Sequence, residues 1–135
     1  MSDLTYASPL SILVVDDEPL ILEFLADMLR EHGHTVGTAG SGEEALQLVH
    51  QQSWNLVLTD RAMSGMSGEI LARHVKEFCP GTAVLMMTGF LPQAGCTDVD
   101  GTLCKPFTLA ALATAISAAL AACPASTPCP TASRV

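Results

Sequence analysis

The feature that most constrains this chain is a repeated alternation. Short apolar runs of strand length are each followed by a segment whose apolar residues recur at helical spacing, and each run stops in a polar residue. Ser11-Ile12-Leu13-Val14-Val15 stops at Asp16-Asp17, the stretch Trp54 to Thr59 stops at Asp60, and Ala83-Val84-Leu85-Met86-Met87 stops at Thr88-Gly89. A short run around Gly101 to Cys104 gives way to Lys105-Pro106. Nearly unbroken apolar strands are those covered on both faces, and strands alternating with helices predict parallel pairing through helical crossovers. The fold class is therefore α/β with five strands, the second over His34 to Ala39.

The helices carry their own signals. Ile21, Phe24, Leu25, Met28 and Leu29 match one helical face that His32-Gly33 closes, and Asp17 is placed to cap it. Ser41 and Glu44 read as a capping box for a second helix through Ala45, Leu46 and Val49. Ser67 caps a third, which buries Leu71, Val75 and Phe78 before Pro80-Gly81 ends it. Thr108 caps an Ala-rich helix with Leu109, Leu112, Ile116 and Leu120 on its apolar side. Between Thr88 and Gly101, Pro92 and Gly95 leave room for only a shortened or irregular helix. Residues 1–9 read as an N-terminal extension, 10–122 as one domain, and 123–135 as a Pro-rich, disordered tail.

Charge narrows the partners. Six Lys plus Arg against fourteen Asp plus Glu leave a net charge of -8, a surface that repels nucleic-acid phosphates and anionic membranes. No apolar stretch reaches the roughly 20 residues of a spanning helix, and Met1 to Leu10 shows no signal peptide, which together predict a cytoplasmic location. Five cysteines (Cys79, Cys96, Cys104, Cys123, Cys129), with no paired spacing, read as free thiols. His32, His34, His50 and His74 fall in or beside helices, away from the strand ends.

In an open parallel sheet ligands bind beyond the carboxyl ends of the strands, so Asp16, Asp17, Asp60, Thr88 and Lys105 converge at one edge. Carboxylates about 4 Å apart repel by roughly 4 kcal/mol per pair at an effective dielectric near 20, which asks for a cation. An all-oxygen donor set suits Mg²⁺, and Mg²⁺ with an ammonium and a hydroxyl suits a phosphoryl group.

These residues, in ILVVDDEP, LVLTDRAMSGMSG, VLMMTGF and LCKPF, closely resemble the receiver domain of two-component response regulators. The resemblance spans about Leu10 to Ala122 and implies the flavodoxin-like strand order 2-1-3-4-5, a member of this family being the known example of that order. It further implies that Asp60 takes a phosphoryl group from a phosphohistidine on a sensor histidine kinase or phosphotransfer protein. Asp17 and Asp60 would ligate Mg²⁺ directly, Asp16 would act mainly through water and the backbone carbonyl of Ala62 would complete the protein ligands, while Lys105 and Thr88 would contact the phosphoryl group. The Lys105-Pro106 bond is expected to be cis, with the ammonium aimed inward.

Three departures stand out. Thr102 replaces the ring usual three residues before the lysine, the segment from Thr88 to Lys105 is short, and Ser64 replaces a common proline, a change expected to loosen the loop without touching the ligands. Met63 and Met66 are expected to pack the loop. Only about a dozen residues follow the last helix, so the expected output is a change in protein contacts, and the expected class is a signalling domain that assists its own phosphorylation, not an enzyme. A phosphorylation-independent scaffold is the alternative. A small Mg²⁺-dependent phosphatase would want its nucleophile after the first strand, and Asp16-Asp17-Glu18 would repel a flavin phosphate.

Overall fold

In the computed structural model, which describes residues 10–89 and 99–123, nine elements follow one another: β1 (Ser11–Val15), α1 (Pro19–Glu31), β2 (Thr35–Ala39), α2 (Gly42–Gln51), β3 (Leu56–Asp60), α3 (Gly68–Phe78), β4 (Ala83–Thr88), β5 (Gly101–Cys104) and α4 (Leu109–Ala122). The five strands form one parallel sheet in the order β2-β1-β3-β4-β5. The expected short helix between Thr88 and Gly101, the N-terminal extension and most of the Pro-rich tail fall outside the described residues.

Central strands are buried on both faces, as their unbroken apolar sequences require. One layer packs Ile12, Val14, Leu56, Leu58, Leu85 and Met87 against Leu25 and Leu29 of α1 and Leu112 and Ile116 of α4. The opposite faces of the same strands present Leu13, Val15, Val57 and Val84 to Ala45 and Val49 of α2 and to Leu71 and Val75 of α3. Trp54 closes this second layer below Gly37, where a Cβ would lie 2.6 Å from the indole ring, so only glycine lets the edge strand lie over it.

Three helices start as their sequences predict. Ser41 accepts from the Glu44 N–H, Ser67 from the Ile70 N–H and Thr108 from the Ala111 N–H. Glu44 reaches back to the Gly40 N–H, one residue before the cap, so the box is closed one position out of register. The first helix differs from expectation: Glu18 is its N-cap and no side chain caps it. Asp17 is engaged elsewhere, as described below. Phe24, Leu109 and Phe78 also depart from their expected core positions. Phe24 and Leu109 are exposed, and Phe78 is half-buried, packed against the second layer with its ring edge-on to His50.

Cys79 corrects the expectation of five free thiols: it is disulfide-bonded, whereas Cys104 and Cys123 carry thiols. Spacing along the chain does not report which sulfurs the fold brings within bonding geometry. His34 is buried and its Nδ1 accepts the Leu10 N–H, a structural role consistent with its place beside β2.

Candidate functional site

All the strand-end residues picked from the sequence meet at the carboxyl edge of the sheet. Asp16 follows β1, Asp60 ends β3, Thr88 ends β4 and Lys105 follows β5. Adjacent strands run in register, with Asp60 opposite Met87 and Thr88 opposite Cys104, so these side chains finish at one level. Carboxylate oxygens of Asp16, Asp17 and Asp60 lie within 4.8 Å of one another. Lys105 Nζ lies 2.6 Å from Asp60 Oδ1 and 3.9 Å from Asp16 Oδ2, and the Lys105-Pro106 bond is cis. Asp16, Asp60 and Thr88 are buried, while Asp17 is exposed at the mouth.

Among the described residues one cation, Lys105, pairs with any of these three carboxylates, which leaves the cluster short of positive charge. Asp16 shows the shortage most clearly. Its Oδ1 accepts the Glu18 N–H at 2.9 Å, but its fully buried Oδ2 accepts no hydrogen bond among the described residues. Burial raises the Asp16 carboxyl above its ordinary range, and the charges of Asp60 and Asp17 push it the same way, against the Glu18 N–H and Lys105. A buried acceptor without a donor, beside two further carboxylates, is the environment a hard divalent cation satisfies. The donor set therefore fits Mg²⁺.

A cavity of about 400 Å³ opens beside Asp60, lined by Arg61, Ala62, Glu69, Thr88, Gly89 and Lys105 as well. Next to it the backbone makes a close approach. The Gly68 N–H donates to the Arg61 carbonyl at 2.9 Å, and a Cβ at Gly68 would lie 2.3 Å from the Asp60 carbonyl oxygen. Only glycine lets α3 start against the end of β3. Met66 packs over Gly42 as expected of a loop methionine, with a Cβ there 2.7 Å from its sulfur.

Ser64 overturns one expectation. Its N–H donates to Asp17 Oδ2 at 3.0 Å, with its hydroxyl at 3.4 Å from the same oxygen, so it touches one of the residues expected to be a ligand. A proline could not make the first of these bonds. The contact spans 47 residues in sequence, and no local signal announces it. Sequence reading also missed Arg61 and Glu69, whose side chains pair at the cavity wall with Nε 3.2 Å from Oε2.

Comparison with known proteins decides the family. The response regulator receiver domain model matches residues 12–117. This chain belongs to the response regulator receiver family. The transcriptional regulatory protein GlrR of Escherichia coli is 35% identical over 117 residues, which are 83% of this chain and 26% of GlrR. The receiver thus spans about a quarter of that curated relative. Among solved structures, response regulator TrrA from Thermotoga maritima, in complex with Mg²⁺-BeF, superposes with a TM-score of 0.74 at 31% identity over 79% of this chain and 96% of its own. A receiver domain protein from Clostridium thermocellum gives 0.71 at 32% identity, covering 83% of this chain and 94% of its own.

The strand order and family expected from the sequence are thus the observed ones, and the acidic cluster fits the phosphoacceptor site of a receiver. A receiver is a signalling domain that interacts with histidine kinases or phosphotransfer proteins. No helix among the described residues is long and apolar enough to cross a membrane.

Proposed function

We propose that Asp60 is the phosphoacceptor of this receiver, taking a phosphoryl group from the phosphohistidine of a sensor kinase or phosphotransfer protein. The observation that carries this reading is the Asp60 carboxylate itself: buried, bonded to Lys105 at 2.6 Å, and facing both the acidic cluster and the cavity. A carboxylate oxygen of Asp60 attacks phosphorus. The new O–P bond forms as the P–N bond breaks, and the electron pair stays on the imidazole nitrogen, which is then protonated. Lys105 follows the negative charge from the carboxylate onto the phosphoryl oxygens. Thr88 ends β4 on the same cavity and donates its hydroxyl to a phosphoryl oxygen, which links occupancy to a shift of the β4 end.

Asp16, Asp17, Asp60 and the Ala62 carbonyl would hold Mg²⁺, which neutralises the excess carboxylate charge and draws in phosphoryl oxygens. Ser64 holds Asp17 at the mouth of that site. The unit that acts is residues 10–122, in the cytoplasm, with direct nucleic-acid contact disfavoured by the net charge of -8. The domain promotes its own phosphorylation and dephosphorylation through these groups, and its output is a change of protein contact.

The test is intact mass after incubation with acetyl phosphate, with and without Mg²⁺. A single Mg²⁺-dependent phosphoryl adduct in the wild type, absent in Asp60→Asn, is expected. No adduct on folded protein, from either acetyl phosphate or a phosphorylated kinase, would overturn the reading in favour of a scaffold that works without phosphate.

A further inference from the structure

Arg61 directly follows Asp60, and its backbone is fixed on both sides. Its N–H donates to the Met87 carbonyl at 2.9 Å, and its carbonyl accepts from the Gly68 N–H at 2.9 Å. Its side chain is tied much less firmly. Nε donates to Glu69 Oε2 at 3.2 Å, with the two side chains 34% and 42% exposed. A guanidinium has five N–H donors in a planar fork, and this contact, the only one of its side chain among the described residues, uses one of them. Both residues line the same cavity as Asp60, Thr88 and Lys105.

The charge of that cavity changes on phosphorylation. Asp60 brings one negative charge, whereas an acyl phosphate brings about two, spread over three oxygens that accept strong hydrogen bonds. A half-exposed Arg–Glu contact is weakly held, since water screens it and each partner is readily solvated. The phosphoryl oxygens offer the guanidinium a two-pronged, charge-assisted alternative. Glu69 tolerates the loss, because it stands in the first turn of α3, where the helix N-terminus favours a carboxylate.

We propose that Arg61 is a second phosphoryl-binding cation, which leaves Glu69 for the phosphoryl oxygens when Asp60 is phosphorylated and so frees Glu69 at the start of α3. This rests on Asp60 being the phosphoacceptor. It adds to Lys105 a second cation lining the same cavity, and it gives the α3 end a contact that reports the state of the site.

Beryllofluoride with Mg²⁺, a stand-in for the phosphoryl group on a carboxylate, is the probe. Its affinity should fall about fivefold to tenfold in Arg61→Ala, recover in part in Arg61→Lys, and rise about twofold to threefold in Glu69→Gln, with affinity for Mg²⁺ alone changing less than about twofold. In the wild type, the Arg61 Nε–Hε resonance should move on adding both ions, and the same resonance in Glu69→Gln should start nearer its bound position. Beryllofluoride affinity equal in all four proteins, or an Arg61 resonance that stays fixed while Thr88 responds, would overturn this inference and leave Asp60 as acceptor. Beryllofluoride binding that survives Asp60→Asn would overturn both.

Discussion

Two lysine–aspartate pairs sit at opposite ends of the sheet, each with 2.6 Å between nitrogen and oxygen, and they serve different ends. At the amino edge Lys76 of α3 meets Asp100, just before β5, and also donates to the Thr82 carbonyl at 2.9 Å and the Pro80 carbonyl at 3.4 Å. Asp100 Oδ2 accepts the Val84 N–H at 2.8 Å as well. One cation meets one carboxylate there and backbone groups, with the Cys123 sulfur 3.3 Å from Lys76 Nζ, fill the remaining valences, so the pair ties α3 to β4 and β5. At the carboxyl edge Lys105 faces three carboxylates, and Asp16 Oδ2 has no donor among the described residues. The same bond that completes one end is insufficient at the other, and that deficit is what a cation and a phosphoryl group can use.

The largest expected effect is at the completed end. Lys76→Met leaves Asp100, whose side chain is 9% exposed, without its cation, and should destabilise the fold by about 2–4 kcal/mol in urea unfolding. An unchanged midpoint would make that pair as incidental as a surface contact. At the deficient end, Mg²⁺ at about 100 times its dissociation constant should stabilise the wild type by about 2.7 kcal/mol, and Asp16→Asn should lose most of this. Equal stabilisation of both proteins would place the ion elsewhere.

Without Mg²⁺ the same substitution should act in the other direction. Because burial raises the Asp16 carboxyl, the folded state binds more protons than the unfolded state between the ordinary value of 3.8 and the raised one. Stability from this group therefore falls as pH rises through that window, and the penalty is fully present above the raised value. Asp16→Asn, which removes the buried charge, should then be more stable than wild type above that window, with the advantage gone once pH drops below the ordinary carboxylate range. Thermal melts in chelator across pH would show it.

The smallest effect separates the two bonds from Ser64 to Asp17. Ser64→Pro removes both and should weaken Mg²⁺ about threefold to fivefold, the worth of one ordinary hydrogen bond. Ser64→Ala removes only the 3.4 Å hydroxyl contact and should change it less than twofold. Calorimetric titration of both variants gives the comparison, and equal losses would assign the hold on Asp17 to the hydroxyl.

Much of this was legible in local patterns, because each followed from neighbours within a few residues. Apolar runs of β1, β3 and β4, the caps Ser41, Ser67 and Thr108, and the polar residue closing each strand needed no knowledge of the fold. Convergence of Asp16, Asp17, Asp60, Thr88 and Lys105 needed only parallel pairing, since strands in register must end at one edge. Helical periodicity placed Phe24 and Leu109 on apolar stripes, but whether a stripe's margin is covered depends on the width of the sheet beneath it.

By itself, then, the sequence determined the α/β class, the family and the chemical inventory of one sheet edge, since all three are written in short-range order and strand-end identity. Only the tertiary structure decided how that inventory is balanced. The Asp16 oxygen without a donor among the described residues, the reach of Ser64 to Asp17 and the Lys76–Asp100 tie all depend on distances between segments far apart in the chain, and the pairing of Arg61 with Glu69 on how the intervening loop folds back. Hydrogen bonds and ion pairs lose their meaning over an ångström or two, and a pattern of residue types fixes position along the chain far more finely than it fixes separation across it.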